Sequence, residues 1–192
     1  MRYTERFAGD DREREFKVLA EMEEEYEEKD ASFFNSVLKD EPSLVVRVHA
    51  VTVLSEIGDE SSVPVLADVM KNDPSSLIRH EAAFSLGQMG FSSAVPYLMD
   101  SAVNDPSEIV RHESAAALGG IGDERARPTL EKASKDPSDE VRGSAIASLF
   151  NLDFLKYSRN RKAKNADALS SEIEEKKRRL QASPEEKKMP HP

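Results

Sequence analysis

The chain has no cysteine and no tryptophan in 192 residues, and aromatic residues make up only 6% of it. Without cysteine there can be no disulfide, no zinc–thiolate site and no cysteine nucleophile. A cysteine-free chain also suits a reducing compartment. No apolar segment of the signal-peptide kind follows the opening "MRYTER", and no apolar run is long enough to cross a bilayer. These absences predict a soluble, cytoplasmic protein that does not enter the membrane. Basic charge is also in short supply: the formal net charge is −10. Phosphate backbones are gripped by basic surfaces, so a dedicated nucleic-acid binder is not expected. Charge is spread unevenly. Residues 1–31 hold 6 Lys/Arg against 12 Asp/Glu, whereas residues 156–192 hold 11 against 6. An acidic body suits a basic partner, although it also serves plain solubility.

What the sequence does contain is a repeat. Four segments align: "DEPSLVVRVHAVTVLSEIGDESSVPVL", "NDPSSLIRHEAAFSLGQMGFSSAVPYL", "NDPSEIVRHESAAALGGIGDERARPTL" and a shortened "KDPSDEVRGSAIASLFNLDFL". Arg47, Arg79, Arg111 and Arg142 recur in register, as do Pro42, Pro74, Pro106 and Pro137. Pro64, Pro96 and Pro128 form a second series. Each copy reads as two helices. Asp73 and Asp105 are the expected N-caps, with Pro74 and Pro106 at the first helical position. Ile78, Ala82, Leu86 and Met89 fall on one stripe at helical spacing, as do Val110, Ser114, Leu118 and Ile121. Gly90 and Gly122 are placed to end these helices in a left-handed conformation. One helical pair cannot bury its own stripe, but stacked pairs can. The expected fold is therefore all-α, an α-solenoid of about four helical-hairpin repeats.

Three regions follow. Residues 1–31 read as an acidic helical extension that packs Phe16, Leu19 and Met22 on the first repeat. Residues 32–155 are the repeat domain. Residues 156–192 read as a charged, partly helical and largely mobile tail.

Two of the four histidines occupy equivalent places in the middle copies, each followed by glutamate: His80–Glu81 and His112–Glu113. At about 100° per residue, His80 points away from the Ile78 stripe and shares its side of the helix with Ala83 and Gly87. His112 does the same with Ala115 and Gly119. The outer copies carry Val48, Val51 and Ser55, or Gly143, Ile146 and Phe150, at these places. Small residues beside polar ones suggest open space for a ligand. Helices in such a stack lie about 8–10 Å apart, so both imidazoles can reach one metal ion. With Glu113 they would form the two-histidine, one-carboxylate set that leaves Fe(II) open positions. Idle duplication explains the copying of the dyads. It does not explain why both partners survive only in the central copies. His49 aligns with the glutamates and reads as a surface or packing residue. His191 lies in the tail and has no expected role. The arginine series is expected to pair with acidic residues of the next repeat. No phosphate loop, Ser-His-Asp constellation or dinucleotide fingerprint is present.

"IRHEAAFSLGQMG" followed by "VRHESAAALGGIGDE" resembles deoxyhypusine hydroxylase, a HEAT-repeat di-iron monooxygenase, within the wider HEAT-like repeats named after phycobilisome lyases. The similarity covers roughly residues 40–155. The resemblance implies hydroxylation of a deoxyhypusine side chain on a translation factor, using two irons and dioxygen. It implies His80, His112 and Glu113 as iron ligands, with Glu81 holding the amine of the basic, lysine-derived substrate side chain. The family chain has two halves, each with two dyads, and the irons lie between them. This chain has one half, so the resemblance implies a homodimer that rebuilds the site at its interface. Ala83, Gly87, Ala115 and Gly119 would then leave room for a slender aliphatic amine. Two other classes stand beside this one: a metal-free protein-binding scaffold, and a lyase-like or chaperone-like protein acting on a tetrapyrrole chromophore.

Overall fold

The computed structural model describes residues 11–181. Every regular element among them is helical. In chain order they are α1 (Asp11–Glu28), α2 (Ala31–Asp40), α3 (Leu44–Ile57), α4 (Val63–Asn72), α5 (Ser76–Met89), α6 (Val95–Asn104), α7 (Glu108–Ile121), α8 (Arg127–Ala133) and α9 (Asp139–Gln181). Short 3-10 turns open α4, α6 and α8. First helices pack on one another in turn, α3 on α5 and α5 on α7, and the second helix of one copy packs on the first helix of the next, α4 on α5 and α6 on α7. This is the α-solenoid that the repeat implies. No described helix is long and apolar enough to cross a membrane.

The predicted stripes form the core. Ile78, Ala82 and Leu86 are fully buried, as are Val110, Ser114 and Leu118. Burying one such leucine stabilises the fold by about 1.5–3 kcal/mol. Gly90 and Gly122 end α5 and α7 at φ 71° and 70°, a conformation that costs glycine nothing. The fourth copy has Asp153 at that position, and Arg159 where the earlier copies carry the second proline. Nothing there stops the helix, and α9 continues past it. The chain divides into two compact units, residues 1–152 and 153–192. In the second unit α9 is helical to Gln181, and its described side chains are mostly exposed. The remainder of the expected tail, with His191, lies outside the described residues.

The helix starts differ from expectation. Asp73 and Asp105 cap the C-termini of α4 and α6, and the N-caps of α5 and α7 are Ser75 and Ser107. Pro74 and Pro106 sit in the linkers. The prolines inside a first turn are instead Pro64, Pro96 and Pro128. The aspartates are drawn elsewhere by two partners. Each accepts a hydrogen bond from the backbone N–H two residues on, Ser75 or Ser107, both at 2.8 Å. Each also receives the arginine of the preceding repeat: Arg47 Nε donates to Asp73 and Arg79 Nε to Asp105, both at 2.9 Å. Arg111 and Asp136 repeat the arrangement at 2.8 Å. The Nη1 atoms of Arg79 and Arg111 reach back to their own linker carbonyls, Asp73 and Asp105, at 3.0 Å. The expected arginine series is thus a ladder binding every repeat to the next.

The ladder has one more rung. Arg14 of α1 clamps Glu41 through two hydrogen bonds of 2.8 Å, and Glu41 accepts from the Ser43 backbone N–H at 2.6 Å. Glu41 occupies the place of Asp73 one copy earlier, so α1 and α2 make a further repeat-like pair. α2 buries Phe33, Phe34, Val37 and Leu38 behind an N-cap at Asp30, a pattern that the repeat alignment passed over. On α1 the buried residues are Val18 and Met22, with Leu19 partly buried. Phe16 is 62% exposed, not packed on the first repeat as expected. The phase of α1 turns it outward, where the Arg12 guanidinium lies 6.0 Å from its ring centre.

Candidate functional site

The two dyads sit on successive first helices, His80 and Glu81 on α5, His112 and Glu113 on α7. Inter-repeat packing decides what each can reach. Each histidine leans forward onto the next repeat. His80 Nε2 lies 3.4 Å from Glu113 Oε2. His112 instead sets Nδ1 2.9 Å from Ser144 Oγ and 3.2 Å from the Glu140 carbonyl, both on α9. The pairing therefore runs from His80 across the repeat boundary to Glu113, not within the His112–Glu113 dyad. His80 Nδ1 is buried and forms no hydrogen bond. The carboxylate nearest to it, Glu81 Oε1, is 3.4 Å away without hydrogen-bond geometry. The cluster is partly sheltered: the side chains of His80, Glu81 and Glu113 are 26%, 27% and 16% exposed.

The expected open space beside the histidines does not exist. Ala83 and Ala115 are fully buried by the neighbouring repeats. A Cβ on Gly87 would come within 2.7 Å of Ala117 Cβ, and one on Gly119 would run into Ser148. Cross-repeat hydrogen bonds hold these contacts. Ser85 Oγ donates to the Val51 carbonyl at 3.1 Å and Ser148 Oγ to the Ala115 carbonyl at 2.8 Å. The small residues let first helices approach closely and leave no pocket for an amine. The surface left to solvent is the outer side of α5 and α7. There Glu81 is flanked on its own helix by the exposed Leu77 and Phe84, and Glu113 by the exposed Ile109. His49 is exposed on the corresponding side of α3 and lines a cleft against α1 with Leu19, Tyr26 and Val45.

The donors suit a metal in kind. Two donors each about 2.1 Å from one ion lie roughly 3.0–3.5 Å apart, which the 3.4 Å between His80 Nε2 and Glu113 Oε2 satisfies. A histidine that binds metal through one nitrogen commonly has the other held by an oxygen. His112 has that second contact in place, at Ser144 and Glu140. In number the single chain falls short. Among the described residues no three His, Cys, Asp or Glu side chains converge on a metal position. His80 and Glu113 meet, and His112 stands apart.

The HEAT-repeat family model matches residues 17–83 and again 66–149. No curated protein matches the chain. Among solved structures, human deoxyhypusine hydroxylase in complex with glycerol is similar at 30% identity with a TM-score of 0.60. That alignment covers 66% of this chain and 44% of the hydroxylase, so the chain spans less than half of that protein's length. The complex of CpcE and CpcF of phycocyanin lyase from Nostoc sp. PCC7120 is similar at 19% identity and TM-score 0.50, over 64% of each chain. At that identity the likeness is one of fold alone.

Proposed function

The chain belongs to the HEAT-repeat family, and from that premise we propose that its solenoid carries a half-site of a deoxyhypusine hydroxylase-like iron monooxygenase, completed by a second copy of the chain. The observation that carries the reading is the pair His80 Nε2 and Glu113 Oε2, set 3.4 Å apart by the stacking of α5 on α7. It lies within a chain that matches less than half of the hydroxylase. His80 and Glu113 would hold one side of an iron, and His112 would bind through the ring nitrogen opposite its Ser144 contact. Bound iron supplies activation of dioxygen for insertion of oxygen into an unactivated C–H bond. The chain's own residues do the rest. Glu81 receives the ammonium of a lysine-derived side chain on a translation factor. Leu77 and Phe84 on either side of it take the aliphatic stem, as apolar surface takes the methylenes of long cationic side chains. A second copy facing the first, dyads toward dyads, supplies the donors that one chain lacks.

Iron content tests this. Untagged protein is expected to retain iron, and His80→Ala/His112→Ala to lose it while keeping its helical circular dichroism. Unchanged stoichiometry in the folded double variant refutes the site. Iron-loaded protein that stays monomeric in sedimentation refutes the two-copy centre. A second reading, a metal-free binding scaffold, is favoured by the lack of a three-donor cluster among the described residues, and it predicts no iron in either protein.

A further inference from the structure

The solenoid is finished differently at its two ends. At the start, α1 and α2 cover α3 and extend the arginine ladder. At the other end, the part of α9 within the repeat unit stands as a first helix whose far side is exposed among the described residues. The positions that receive the next repeat show this. Val51, Ala83 and Ala115 are each fully buried by the helix that follows. Their counterpart Ile146 is 58% exposed. Gly87 and Gly119, one turn on, are pressed against the next helix, whereas their counterpart Phe150 is 73% exposed. Bulky apolar residues thus occupy a stacking surface that the described residues leave exposed.

We propose that this face of α9 is a homodimer interface, occupied by the same face of a second copy packed antiparallel about a two-fold axis. The surface continues the repeat-to-repeat interface. At every earlier step, its occupant is another first helix of this chain. It is also self-complementary. A two-fold axis between Ile146 and Ala147 sets Phe150 of one copy opposite Gly143 of the other, and Ile146 level with Ala147. Gly143 has open space where its Cβ would be, with no atom within 4 Å, and Ala147 is exposed. Each large side chain therefore meets a small one, twice by symmetry, as isologous contacts require. Packing at this interface closes the solenoid and buries Ile146 and Phe150 as the stack buries Val51, Ala83 and Ala115. It needs neither metal nor His80, Glu81 or Glu113, so it does not depend on the iron reading.

Sedimentation of chelator-treated protein across a concentration series tests the proposal. Wild-type protein is expected to be a dimer in the micromolar range. Phe150→Glu alters a mostly exposed side chain and should yield a folded monomer, shifting the dissociation constant at least 100-fold. Gly143→Leu fills the socket in a position open to solvent within one chain. It should also give a monomer, with helical content no lower than wild type, since leucine is a better helix former than glycine. A monomeric wild-type protein, or a dimer that survives both changes, overturns the proposal. Any association that iron induces in the Phe150→Glu protein belongs to the dyad face, so the failure of one reading leaves the other testable.

Discussion

Gly119 and Gly120 are neighbours on α7, and the structure assigns them opposite responses to the same substitution. A Cβ on Gly119 would lie 2.5 Å from Ser148 Cβ and 2.8 Å from Ser148 Cα. Carbon atoms pack at about 3.5–4.0 Å, so Gly119→Ala must push α9 away from α7 by about 1 Å. Overpacking of this kind costs about 1–3 kcal/mol. The shift also strains the bond from Ser148 Oγ to the Ala115 carbonyl, which contributes about 1 kcal/mol. Against this, alanine is the better helix former by about 1 kcal/mol. The net expectation for Gly119→Ala is a loss of about 1–2 kcal/mol. A Cβ on Gly120 would meet no atom within 4 Å, so Gly120→Ala keeps only the helical gain and should stabilise by about 0.5–1 kcal/mol. Urea unfolding resolves the two. With a slope of roughly 1–3 kcal/mol per molar, their midpoints should separate by about 1 M. Equal midpoints would refute the packing argument and restore the open space beside His112 that the small residues suggest in the sequence.

Leu86→Ala or Leu118→Ala should each cost about 2–5 kcal/mol in the same assay, because both side chains are fully buried. His80→Ala in metal-free protein should cost much less, and the reverse order would mean that the helix faces are assigned backwards. The arginine ladder makes stability depend on acid. The guanidinium of Arg111, hydrogen-bonded to Asp136, holds that carboxyl below its ordinary value, assisted by the Ser138 N–H. A carboxyl with a lowered folded pKa contributes stability that is complete above its unfolded value, about 4, and is lost as pH falls toward the folded one. Asp136→Asn should therefore lower the melting temperature at pH 7 and narrow the gap to wild type below pH 4. A gap that stays constant with pH would show that the pair adds nothing through its charge.

Much of this architecture is written in one dimension. The step between arginines, the prolines and the apolar stripes determine the repeat, because each helix pair must bury its own Ile78- or Val110-type stripe. Gly90 and Gly122 determine where α5 and α7 end, and Asp153 in their place determines that α9 continues. The acidic partners of the arginines follow from the same register. What a single helical wheel cannot decide is which flank of a first helix the next repeat will cover. A solenoid helix is buried on more than its core stripe, and the flank holding Ala83, Gly87, Ala115 and Gly119 looks as open in sequence as the flank holding Glu81. Tertiary stacking fills the first and leaves the second to solvent. It also turns His80 onto Glu113 instead of pairing His112 with its own neighbour, since contacts across a repeat boundary depend on the offset between helices, which no spacing along one chain segment encodes. The same offset seats Arg14 on Glu41 and so draws α1 and α2 into the stack.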